Sequence, residues 1–153
     1  FDTDNSKRIL RLGYLDTMKA FGLIDGNYYS FAKGSFDKNT AKAADACGKI
    51  FELDPLTLYT KEIFLEKLAE ALHGSSVDAK NALDKYANGF TLPTLKEMAS
   101  DIKDVANLKM FVFLAAYNMK EKGASSIFVS RSAVHLFPDI VNAGRFLLKY
   151  ELI

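Results

Sequence analysis

The residues whose types and spacing best suit chemistry are Glu66, Glu70 and His73. Glu70-Ala71-Leu72-His73 is a Glu-x-x-His step, and Glu66 lies four residues before Glu70, so a helix puts all three on one face. That pairing is half of the ligand set for a carboxylate-bridged di-iron centre in a four-helix bundle. The other half is a second Glu-x-x-His on another helix. His135, the other histidine, has Ser132 three residues before it. The competing reading makes Glu62, Glu66 and Glu70 a solvated stripe. His73 then sits at a helix end, where partial positive charge suits the dipole. A mononuclear site from His73, His135 and a carboxylate fits the spacing, but nothing marks the groups that would orient the two imidazoles.

Other reactive arrangements are missing. Cys47 lies in AKAADACGKIF without a neighbouring histidine and reads as a small buried hydrophobe. Ser125, Ser126 and Ser132, near His135, read as caps and turns, and no Gly-x-Ser-x-Gly elbow occurs. Cys47-Gly48-Lys49 lacks the leading glycine of a phosphate-binding loop. Asp2-Thr3-Asp4 lacks the glycine and glutamate of a calcium loop. No Cys-x-x-Cys-His is present for covalent haem attachment. The reading leans away from an enzyme, and no cofactor is expected.

These candidates must be positioned by a chain of 153 residues, 49% hydrophobic and 25% charged, which suits one globular domain, residues 1–153. Twenty basic residues against 19 acidic ones leave a net charge of +1, with no basic block. Lys7, Arg8 and Arg11 on the first helix are too few for a nucleic-acid footprint, so no nucleic-acid partner is expected. No segment reaches the roughly 20 apolar residues of a transmembrane helix. The first residue is Phe1, which suggests a processed chain (exported or organelle-targeted) or a trimmed one.

Apolar periodicity predicts an all-α fold of about six to eight helices, a mostly antiparallel bundle. Residues 1–5 are a polar lead-in. Helices are predicted over 6–21, 37–51, 56–72 and 76–88, the third ending at Gly74. Leu10, Tyr14, Met18 and Phe21 form the apolar stripe of the first. A turn at Asp25-Gly26 precedes a short helical piece. Thr91 caps a further helix, whose pattern runs on to Lys122 with a break near 104–107. Residues 124–130 are the one stretch with strand character. A short helix over 130–137 and a last one from Pro138 complete the chain.

Within that pattern Leu108–Met119, LKMFVFLAAYNM, has ten apolar residues in twelve. A helix apolar all round needs cover on every side, so it is the expected central helix. Aromatics cluster at Tyr28, Tyr29, Phe31 and Phe36, and at Phe111, Phe113 and Tyr117. These seven are either core or the lining of a partner or ligand surface. The leading expectation is a non-enzymatic accessory protein that docks on a larger protein assembly. The alternatives are a carrier of a hydrophobic small molecule in an inter-helix pocket, and a metal-binding protein using His73 with Glu66 and Glu70.

Overall fold

The computed structural model describes residues 2–73, 91–102 and 105–153. In chain order they form α1 (Thr3–Ala20), β1 (Ile24–Asp25), β2 (Ser30–Ala32), α2 (Lys38–Ile50), β3 (Leu58–Tyr59), α3 (Lys61–His73), α4 (Leu92–Asp101), α5 (Val105–Lys122), α6 (Arg131–Leu136) and α7 (Pro138–Lys149). Two 3-10 turns, Gly123–Ser125 and Ile127–Val129, join α5 to α6. The fold is compact and mostly helical, with a small sheet of order β1-β2-β3. The predicted helix over 76–88 and the Gly74 stop lie outside the described residues.

Local chemistry sets the helix ends. The Asp37 carboxylate accepts the Asn39 and Thr40 N–H groups at 3.0 and 2.9 Å and starts α2. Thr91 caps α4, with Pro93 in its first turn. Ser130 takes the Ala133 N–H at 3.2 Å and starts α6, and Pro138 opens α7.

The core lies where α7 packs against both α5 and α2. Phe111 to Ala116, six consecutive residues of α5, are buried, so Leu108–Met119 is a central helix. α7 comes close because residue 144 is glycine: a Cβ there would stand 2.8 Å from Met119 Cε and 3.4 Å from the Ala116 nitrogen. Beside this lies an aromatic lattice. The Phe64 ring meets Phe31, Tyr59, Phe146 and Phe36 edge-on, with centroids 5.2 to 6.0 Å apart. Gly48 makes room for Tyr29: a Cβ at 48 would fall 2.5 Å from the ring.

Several expectations are corrected. The piece after Gly26 is strand β2, antiparallel to β1. Asp45 of α2 accepts the Tyr28 and Tyr29 N–H groups at 3.1 and 2.8 Å, which fixes the bend that leads into β2. The third helix starts at Lys61, because Leu58 and Tyr59 pair in parallel with β2. Residues 124–130 form 3-10 turns instead of strand. Ser126 takes the Phe128 N–H and donates to Asn118 of α5 at 2.6 Å. The polar lead-in is already helical from Thr3, since Asp2 supplies the cap. The break before α5 comes earlier than expected: α4 stops at Asp101 and α5 begins at Val105.

Candidate functional site

α1 is the least buried helix in the described fold. Asp2 starts it by accepting the Asp4 and Asn5 N–H groups, both at 3.1 Å. Gly22, at φ +68°, ends it, with Leu23 N–H on the Met18 carbonyl at 3.0 Å. Arg11, Leu15 and Lys19 recur every four residues and form the seat. Arg11 Nε donates to the Leu56 carbonyl at 3.1 Å and Lys19 Nζ to the Asn27 carbonyl at 2.7 Å. Leu15 lies between them, 1% exposed, and is the only buried side chain of the helix.

The predicted stripe does not face the core. Leu10, Tyr14 and Phe21 are 73%, 54% and 76% exposed, and Met18 is half-buried. Leu10, Tyr14 and Met18 lie one residue out of phase with the seat, about 100° round the helix, and Phe21 follows at the cap. The two carbonyl anchors at Leu56 and Asn27 decide the rotation. A stripe of equal periodicity is left outside, flanked by exposed Ile9 and followed by exposed Leu23. Lys7 continues this outer row at helical spacing, and the Arg11 guanidinium lies 5.5 Å from the Tyr14 ring centre.

The aromatic candidates separate. Tyr29, Phe31, Phe36, Phe111 and Phe113 are buried. Tyr29 donates to the Leu53 carbonyl at 2.9 Å, and burial pushes its hydroxyl well above the usual tyrosine range. Phe51 meets Phe113 edge-on at 6.0 Å. Tyr28 is half exposed, with the Lys49 ammonium 5.1 Å from its ring centre, and Tyr117 lies at the core's edge. Tyr28 and Lys49 line a groove of about 420 Å³ with Arg8, Glu52 and Asp54.

The metal candidates occupy the exposed side of α3. Glu66, Glu70 and His73 all face solvent, and Glu70 pairs with Lys67 at 3.0 Å, which raises the lysine's pKa. Among the described residues no group of three His, Cys, Asp or Glu side chains could hold a metal ion. His135 is exposed on α6. Cys47 is buried, with its thiol against the Ala143 carbonyl at 3.6 Å, and burial alone pushes its pKa up, which suppresses the reactive thiolate.

A further groove was anticipated from the sequence at Phe36 alone. A groove of about 910 Å³ lies between the β1–β2 hairpin and the start of α2. Phe36 and Ala41 supply apolar lining, and Lys33, Lys38 and Lys42 stand around it. Its sequence signal was the Lys38–Lys42 pair, four residues apart at the start of a helix. The signal stays silent until the hairpin folds back over that helix. Among the described residues no helix is long and apolar enough to cross a membrane. Comparison with known protein families, curated proteins and solved structures finds no match.

Proposed function

We propose that this chain is a non-enzymatic accessory protein that docks on a larger protein assembly through the outer face of α1. The observation that carries the reading is Leu10 and Tyr14 on one side of α1 with Phe21 at its C-cap, each more than half exposed. Water contact at three large apolar groups is costly, and such patches mark contact surfaces. Lys7 in the row and the Arg11 guanidinium over Tyr14 suit a partner whose apolar groove carries acidic side chains. An amphipathic helix laid in such a groove uses the same spacing of anchors.

The carrier alternative has less support, because Phe111 and Phe113 are packed in the core and line none of the grooves described above. The metal alternative rests on three exposed side chains, one of them paired with lysine.

The test is affinity capture from the native source with the intact chain and with a Leu10→Asp/Phe21→Asp variant. One stoichiometric partner is expected with the first and none with the second, at equal thermal stability. Recovery of the same partner by both proteins would remove the α1 face from the reading.

A further inference from the structure

We propose that the groove between the hairpin and α2 binds a small amphiphilic anion, meaning a carboxylate, sulfate or phosphate group on an apolar body. Its volume, about 910 Å³, lies in the range of small-molecule sites, about 300–1,000 Å³. Phe36 and Ala41 offer apolar contact to the body. The charged head is recognised by lysine.

The charge balance points to an anion because the carboxylates in the wall are already engaged. Asp25 accepts the Gly34 N–H at 2.8 Å and the Lys33 ammonium at 3.0 Å, and these two contacts hold its pKa below the usual range. Asp45 is buried, with its two oxygens on the Tyr28 and Tyr29 N–H groups. Lys38 and Lys42 have no such compensation. They share one face of α2 at the i, i+4 spacing, where like charges repel. The carboxylate next to Lys38, that of Asp37, is taken up by the Asn39 and Thr40 N–H groups and the Thr40 hydroxyl, and its cation is Lys149 at 3.7 Å. Among the described residues neither lysine has an ion pair. Asp37 already occupies the first amides of α2, so the ligand meets side chains and not the helix terminus. An anion between Lys38 and Lys42 relieves the repulsion, and its apolar body lies along Phe36. This site is separate from the α1 face and does not depend on the docking reading.

The experiment is a heteronuclear NMR titration of the whole chain with decanoate. Saturable shifts are expected at the amides of Gly26, Gly34, Lys38 and Lys42. A Lys38→Glu/Lys42→Glu variant should bind at least tenfold more weakly, and Lys67→Glu on α3 should bind as the parent does. The double variant keeps its helix, since carboxylates suit a helix N-terminus. Acetate and decanol, each carrying half of the chemistry, should bind at least tenfold more weakly than decanoate. Sedimentation with phosphatidylglycerol vesicles should leave the protein in the supernatant. Unchanged affinity in the double variant, equal binding of acetate or decanol, or shifts that never saturate or cluster elsewhere would overturn the proposal. So would lysine-dependent sedimentation, which would assign the lysines to an anionic membrane surface.

Discussion

α1 and α5 are both 18 residues long, and they solve opposite problems. α5 buries Phe111 to Ala116 without interruption, while α1 buries Leu15 alone. Composition separates them in part, since α5 is apolar all round and α1 carries apolar side chains in rows between polar ones. Neighbours decide which of those rows is covered. α5 lies against α7, where glycine 144 lets the backbones approach. α1 is held by one leucine and two charged side chains on carbonyls. Burial therefore depends on the seat that the rest of the chain offers as well as on apolar content, and α1 has apolar surface left over.

That contrast can be broken from either side. Phe111→Ala should cost the most, about 3–5 kcal/mol of unfolding free energy in chemical denaturation, because α5 cannot relax around the hole. A loss near zero would mean that α5 is not the organising helix. Leu15→Ala should cost about 2 kcal/mol, the low end for a buried leucine, since the α1 seat is thin. Its sharper signature is local: α1 amides should lose hydrogen-exchange protection while α5 amides keep theirs. Equal loss in both helices would deny that α1 is a separately held element.

A smaller effect is expected at Asp37. Its carboxyl is pulled down to about 2 by the Thr40 hydroxyl first and the Thr40 N–H next. A lowered acid contributes stability above its ordinary value, near 4, and loses it as pH falls from there toward 2. Asp37→Asn should flatten the stability profile in that window and leave the neutral-pH fold intact; an unchanged profile would remove the cap from the account. Least of all, Leu10→Ser and Phe21→Ser should each shift stability by less than about 0.5 kcal/mol, as surface substitutions do. A loss like that of Leu15→Ala would place the outer face of α1 inside the folding unit.

Much of the helical frame was legible in the residues. Asp37, Thr91, Ser130 and Pro138 mark helix starts by local chemistry, and a twelve-residue segment apolar on all sides can only be central. The strands were hidden for a physical reason. β1 and β3 have two residues each, too short for alternation to show, and they exist through pairing with β2 and through Asp45. The rotation of α1 was hidden as well. Two stripes of the same period run along it, Leu10-Tyr14-Met18 and Arg11-Leu15-Lys19, and hydropathy favours the first. Carbonyl partners at Leu56 and Asn27 select the second, and no local pattern announces a distant carbonyl. The lysine groove joins a hairpin to a helix, so it too exists only after folding.

The parallel pairing of β2 with β3 has a topological consequence. Those strands are joined through α2, so their ladder closes over a whole helix and not over a tight turn. Ser30 meets Leu58 across 28 residues, the same separation as Ala116 from Gly144 where α5 meets α7. Loop-closure entropy therefore opposes the sheet and the helical core alike, and what distinguishes them is the apolar surface each contact buries.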